Sequence, residues 1–159
     1  MWEVFSGNCK AGQIIHDHLQ VVSWIYTDIK KYDHSVGDDE PFNQLSSVDA
    51  VRIFGPCADV LLMISPPYTD NYMEAFSPLQ NHGYGDYYAC KDFIGQTESG
   101  MKKQIVFIGE LGASDGSPGM YNYMLRHPRL KLSLRKVLYK RNYPVFGPVE
   151  KEVFVFDII

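Results

Sequence analysis

The chain has few cysteines, no long apolar run and no internal repeat, and each shortage excludes a class of protein. Its cysteines, Cys9, Cys57 and Cys90, are far apart and form no Cys-x-x-Cys pair, which argues against a zinc knuckle or a disulfide framework. No stretch reaches the length of a membrane span, and the N-terminus carries no basic segment followed by an apolar one. We therefore expect reduced thiols, an intracellular location (cytoplasmic or nuclear) and no membrane partner.

Metal-binding patterns are scarce as well. His16 and His18 flank Asp17 in a segment, residues 13–19, that has helical character. Side chains two positions apart on a helix point in different directions, so these residues make a poor chelate. The sequence therefore predicts no metal site.

The distribution of charge along the 159 residues is uneven. Residues 1–100 hold 5 basic and 14 acidic residues, whereas residues 101–159 hold 10 basic and 5 acidic ones. The basic stretch from Arg126 to Arg141 contains interleaved aromatic side chains, and it either follows a phosphate backbone or forms the solvated face of a strand. The candidate residues for binding nucleic acid (DNA or RNA) are Arg129, Lys131, Arg135, Lys136, Lys140 and Arg141.

Strand-like and helical segments alternate over most of the chain, which predicts a single α/β domain over 1–159. The sheet is expected to be mainly parallel, with helices on both faces. The last two strands, 131–140 and 152–157, are joined by a short turn, which cannot make a parallel crossover. They predict a C-terminal antiparallel hairpin at one edge of the sheet.

Two polar segments interrupt this alternation. Residues 30–47 are acidic and contain Gly37 and Pro41, so they are predicted to form a mobile loop. Residues 80–100 are rich in glycine and tyrosine and are too long for a bare connector, so we predict that they form a substrate loop.

A rigid corner follows the apolar run 60–64, which is typical of a buried parallel strand. It consists of Ser65, Pro66, Pro67 and Tyr68, and open α/β sheets usually place their ligand at such a strand end. Proline lacks an N–H, so the hydrogen bonding between this strand and its neighbours must stop at the prolines. The carbonyls of Ser65 and Pro66 are therefore expected to be free acceptors. Tyr68 offers a flat face for stacking. These two acceptors and this aromatic face together suit the binding of an exocyclic amino group on a planar base.

A glycine-bearing turn lies earlier in the chain, after the first strand. Gly7 and Gly12 would let the backbone approach a ligand close to a helix N-terminus. Asp28 follows Gly7 by 21 residues at the end of the second strand, where a carboxylate can accept both hydroxyls of a ribose. Glu110 ends a later strand and would either line the same cleft or cap the loop after it.

These motifs resemble those of the S-adenosylmethionine-dependent amino-methyltransferases, which modify the exocyclic amine of adenine or cytosine. The family's nucleotide loop often reads acid-Pro-Phe-small-Gly-x-Gly, and the residues that match it here are Glu3, Phe5, Ser6 and Gly7. The family's catalytic corner is Asp, Asn or Ser followed by Pro-Pro and an aromatic residue, which 65–68 matches in full. The resemblance implies a Rossmann-like methyltransferase fold, whose sheet ends in an antiparallel hairpin.

The resemblance also implies S-adenosylmethionine as cofactor and a role for each matched residue. Asp28 would bind the ribose, and the residues that would hold the rest of the cofactor are Glu3, Phe5, Ser6, Gly7, Asn8 and Gly12. Ser65 and the Pro66 carbonyl would accept hydrogen bonds from the target amine, Pro67 would stiffen the corner, and Tyr68 would stack on the base. Transfer would then rest on positioning and electrostatics, without a covalent nucleophile.

The chain departs from the family pattern, and other functions therefore stay open. Cys9 stands where the second loop glycine belongs, and Lys10 adds a cation beside a cationic cofactor. The departures at Cys9 and Lys10 would suit a catalytically inactive, methyltransferase-like binding or structural module. A protein glutamine could instead be the substrate, because it offers a similar planar amine. In the family, serine at position 65 is more typical of cytosine enzymes, and recognition would come from 80–100, the basic stretch or a protein partner.

Overall fold

A computed structural model of the chain describes residues 2–4, 25–28, 42–66, 85–110, 115–143 and 147–159. These described residues form seven strands, namely β1 (Trp2–Val4), β2 (Ile25–Asp28), β3 (Phe42–Gln44), β4 (Val60–Ile64), β5 (Lys103–Gly109), β6 (Leu130–Tyr143) and β7 (Gly147–Ile158). The helices in these ranges are α1 (Ser47–Phe54), α2 (Gly85–Gln96) and α3 (Pro118–Arg126), with a single 3-10 turn at Gly55–Cys57.

The strands form one mixed sheet in the order β3-β2-β1-β4-β5-β7-β6. The first five are parallel, and β7 lies antiparallel between β5 and β6. This confirms the α/β class, the mainly parallel sheet and the C-terminal antiparallel pair, with β6 at the edge.

The three described helices cover one face of the sheet. In β5, Ile105 and Phe107 point into this core, and their antiparallel partners Phe156 and Phe154 point the same way. The rings of Phe107 and Phe154 lie 6.1 Å apart between centroids. The predicted helices at 13–19 and 72–79, which would test the prediction of helices on both faces, fall outside the described residues.

The prediction of a loop at 80–100 was wrong for 85–96, which is helix α2. Ala89, Cys90, Phe93 and Ile94 recur at helical spacing and are buried in the core. This packing stabilises the helix although its glycines and tyrosines are weak helix formers. The loop predicted at 30–47 is likewise wrong at Phe42–Gln44, which pairs with β2.

The order of the strands reverses between β1 and β4. The chain moves outward from β1 to β2 and β3, and it then returns to the other side of β1 with β4. In open α/β sheets, such a reversal leaves a crevice outside the carboxyl ends of the two strands, where ligands bind. In the described part of the chain, no helix is long and apolar enough to cross a membrane.

Candidate active site

The predicted site residues that the structure describes lie at the carboxyl edge of the parallel strands. Thr27 of β2 and Met63 of β4 both pair with Val4 of β1, so Asp28 and Ser65 follow on either side of the end of β1. Neighbouring strands are about 4.8 Å apart, so the backbones at the ends of β2 and β4 lie roughly 10 Å apart. The edge therefore brings the predicted ribose position and the predicted amine position to opposite sides of β1.

Several predicted site residues cannot be placed. Glu3 lies in β1 and Asp28 ends β2, but the structure describes only their backbone. The candidate residues outside the described ranges are Phe5, Ser6, Gly7, Asn8, Gly12, Pro67 and Tyr68. Their roles stay predictions.

Ser65 has an unusual backbone conformation. Its φ is +46°, in the left-handed region that non-glycine residues rarely adopt. The Ser65 N–H donates to the Ile108 carbonyl at 2.7 Å, which extends the β4–β5 pairing by one residue. Such conformations persist where the surroundings hold them, and they cluster at functional sites.

The expectation of a free Pro66 carbonyl was wrong. Pro66 is buried, and its carbonyl accepts a hydrogen bond from the Gly116 N–H at 2.7 Å. A peptide carbonyl has two lone pairs, so one acceptor position of Pro66 is used and one is left. The bond ties the corner to the segment that leads into α3.

Sequence reasoning missed a lysine at this corner. Lys151 of β7 donates from Nζ to Ser65 Oγ at 2.5 Å, and the same Nζ lies 3.1 Å from Asp115 Oδ2. The Lys151 side chain is 27% exposed and that of Asp115 only 11%, so solvent weakens this ion pair less than a surface pair. The Ser65 hydroxyl therefore faces a cation whose charge is offset by a carboxylate.

Two carboxylates follow the end of β5 closely. The Glu110 N–H donates to Asp115 Oδ2 at 2.9 Å, which fixes the carboxylate that pairs with Lys151. A Cβ at Gly109 would lie only 2.9 Å from the Asp115 Cβ, so glycine allows this approach. Within the described ranges, no group of three or more His, Cys, Asp and Glu side chains is placed to hold a metal ion.

A buried carboxylate joins the N-termini of α2 and α3 behind the corner. Asp86 accepts hydrogen bonds from the Ser117 N–H, the Ser117 hydroxyl and the Tyr87 N–H. Ser117 also caps α3 by accepting from the Met120 N–H at 3.1 Å. Burial raises the pKa of Asp86, although these donated bonds act in the opposite direction. Gly116, which directly precedes Ser117, donates to the Pro66 carbonyl, so this junction supports Pro66.

Two arginines of the six-residue predicted basic set bind groups of the protein itself. Arg129 donates through its guanidinium to the carbonyls of Ile94, Thr97 and Ile159, and it thereby clamps the end of α2. Its phosphate contact stays a prediction. Arg135 makes a bidentate pair with Glu152, at 2.9 and 3.1 Å.

The remaining members of the set differ from these two. Lys140 pairs with Glu150 and remains exposed. Lys131 and Lys136 are exposed and have no hydrogen bond or ion pair with the described residues. Arg141 lies in β6, and its side chain is not described. The cations left for a polymer contact are therefore fewer than the sequence predicted.

Comparisons with known proteins give a fold but no family. No protein-family model matches the chain, and none of the curated proteins matches it in sequence. Among solved structures, an rRNA methylase from Streptococcus thermophilus resembles it with a TM-score of 0.52 and 9% identity, covering 99% of this chain and 87% of the other. At this identity, the likeness indicates a common fold.

Proposed function

We propose that the chain is an S-adenosylmethionine-dependent methyltransferase of Rossmann-like fold that modifies an exocyclic amino group of a DNA or RNA base. The observation that carries this proposal is the Ser65-Pro66 corner at the end of β4, beside the point where the strand order reverses. The predicted cofactor segment continues from β1, and Asp28 ends β2 on the other side. The shared fold with the rRNA methylase is consistent with this function.

The cofactor would lie across the end of β1. Asp28 would accept the ribose hydroxyls, while Glu3 and the backbone of residues 5–7 would hold the methionine end. The roughly 10 Å between the ends of β2 and β4 suits a nucleoside with a short chain attached. When bound, S-adenosylmethionine supplies an activated methyl group on a sulfonium.

The corner would orient the target amine. The two N–H groups of the amine would donate to the remaining lone pairs of Ser65 Oγ and the Pro66 carbonyl, while Tyr68 would stack on the ring of the base. Asp28, Glu3 and the backbone of residues 5–7 would hold the cofactor, which would supply the methyl group and keep the bonding electron pair on its sulfur, and the methylated amine would then release a proton to water. Fixed acceptors favour the positive charge that develops on the nitrogen. No residue forms a covalent intermediate.

The polymer would contact the outer strand β6. Lys131 and Lys136 have charges that the described residues do not neutralise, and such cations bind phosphates without regard to sequence. Recognition of a particular sequence would need a further element or a protein partner. A base within a duplex would have to be flipped out, whereas a single strand would present it at lower cost.

The test is methyl transfer from labelled S-adenosylmethionine to separate DNA and RNA pools, followed by digestion to nucleosides. We expect label on the amine of cytosine or adenine, and a loss of about a hundredfold or more in Ser65→Ala. Ser133→Ala is the matched control, because the Ser133 hydroxyl of β6 donates to the Val155 carbonyl of β7, away from the corner. An absence of label on every pool, with the protein folded, would refute the proposal.

One observation favours a second candidate, the inactive methyltransferase-like module. Ser65 Oγ and the Pro66 carbonyl each already have a partner within the protein. A Cys9→Gly variant that gains cofactor affinity without transferring a methyl group would support this candidate, and transfer by the wild type would eliminate it. Protein-glutamine methylation stays an alternative, and binding to nucleic acid that falls steeply with salt argues against it.

A further inference from the structure

We propose that Lys151 determines which bases the site accepts, by donating a hydrogen bond to the ring nitrogen beside the target amine. The inference rests on the proposed function and deepens it. It predicts a substrate that presents an amine and a neighbouring acceptor together, as the Watson–Crick edges of cytosine and adenine do.

Lys151 has more donors than the described residues use. A lysine ammonium has three N–H donors. One is directed to Ser65 Oγ at 2.5 Å, and Nζ also forms an ion pair with Asp115 Oδ2 at 3.1 Å. The described residues use no third donor, and the side chain keeps 27% of its surface exposed. One charged donor at the corner is therefore left for a ligand.

A base bound at the corner would lie close to Lys151. An amine that donates to Ser65 Oγ lies about 2.9 Å from it. Nζ lies 2.5 Å from the same oxygen, so Nζ and the amine are neighbours around one atom. In cytosine and adenine, the carbon that bears the amine also bears an unprotonated ring nitrogen, N3 or N1. That nitrogen is therefore within reach of Nζ.

The charge of Lys151 is offset by a neighbouring carboxylate. An isolated cation here would oppose the positive charge that develops on the amine during transfer. The Asp115 carboxylate, held by the Glu110 N–H, offsets the charge of Lys151. The pair can thus supply a strong, charge-assisted donor with little net charge at the reacting atom. On the Watson–Crick edge of guanine, the ring nitrogen beside the amine, N1, carries a hydrogen, so guanine could meet this donor only through N3 on the other side of its amine.

The experiment compares native bases with analogues that lack the ring acceptor. The substrates are oligonucleotides that carry cytosine or 3-deazacytosine, and adenine or 1-deazaadenine, at one position. We measure kcat/KM for the wild type, Lys151→Met and Lys151→Arg. The wild type is expected to prefer the native base by about tenfold to a hundredfold, the size of a hydrogen bond to a charged group. Lys151→Met should lose this preference, and Lys151→Arg should retain part of it.

The outcomes separate this inference from the function on which it rests. If the wild type transfers no methyl group to any native oligonucleotide, the proposed function fails and the inference fails with it. Transfer to native bases without a preference over the deaza analogues overturns the inference alone. So does a preference that survives in Lys151→Met. If urea titration shows that Lys151→Met is folded but the variant is inactive, the preference is measured by fluorescence anisotropy instead. It is then the ratio of the binding affinities for the native and the deaza oligonucleotides.

Discussion

Ser65 and Lys136 were both predicted to touch the substrate, yet their surroundings are opposite. Ser65 is held by Ile108 through its backbone and by Lys151 through its hydroxyl, while its neighbour Pro66 is held by Gly116. Lys136 projects from an edge strand, exposed and without a partner among the described residues. The contrast indicates that one region fixes atoms in place and that the other only presents charge.

The same contrast divides the basic set itself. Arg129 and Arg135 are engaged by carbonyls and by a carboxylate, and they therefore contribute to stability. Lys131 and Lys136 contribute nothing of that kind within the described residues. A positive charge in a sequence predicts a phosphate contact only when the fold leaves that charge unpaired.

The largest expected effect concerns Arg129. Arg129→Ala leaves carbonyls of Ile94 and Thr97 without their donor, so we expect the free energy of unfolding to fall by about 2–4 kcal/mol in urea titration. Lys131→Ala is the control and should change it by less than about 0.5 kcal/mol. If Arg129→Ala unfolds like wild type but binds nucleic acid far more weakly, Arg129 belongs with the exposed cations after all.

The next effect separates strain from chemistry at Ser65. Ser65→Ala and Ser65→Gly both remove the hydroxyl, but only glycine adopts a φ of +46° without cost. We expect Ser65→Gly to be more stable than Ser65→Ala by about 1 kcal/mol in thermal or urea unfolding. Both variants should lose methyl transfer alike. Equal stabilities would show that the left-handed conformation is not strained.

A third effect concerns Asp86 and pH. Burial raises the pKa of Asp86, so the folded state binds the proton more tightly than the unfolded state. Its contribution to stability is therefore largest in acid and falls as pH rises above about 4, until the raised pKa is passed. The free energy of unfolding of wild type relative to Asp86→Asn should fall over this window. A relative stability that rises instead would mean that the donated hydrogen bonds outweigh burial.

The smallest effect is on polymer binding. Lys131→Gln and Lys136→Gln together should weaken binding to a single-stranded oligonucleotide and lower the slope of log affinity against log salt by about 1.4. Lys91→Gln is a matched control, because Lys91 is exposed on α2 and not on β6. A slope that does not change in the double variant would place the polymer on another surface.

The sequence predicted what depends on short-range pattern and missed what depends on distant pairing. The apolar run 60–64 correctly predicted the buried strand β4, because periodicity acts locally. Lys151 lies 86 residues from Ser65, and between Glu150 and Glu152 it resembles an ordinary solvated charge. Only the insertion of β7 beside β5 brings it to the corner.

Two further misses have similar causes. The glycines and tyrosines of 80–100 predict a loop, whereas helix α2 follows from the spacing of its buried residues. The pairing of Arg135 with Glu152 depends on a β6–β7 register that contains two irregularities. No pattern within a single strand encodes such a register.

The most direct test of the central claim is calorimetric titration of the folded protein with S-adenosylmethionine and with its demethylated product. If the edge between β2 and β4 holds a methyl donor, both ligands should bind, and Asp28→Ala should weaken both by about tenfold or more because the ribose loses a charged acceptor. An absence of binding at about millimolar ligand, an affinity limit of roughly −4 kcal/mol, would contradict the account.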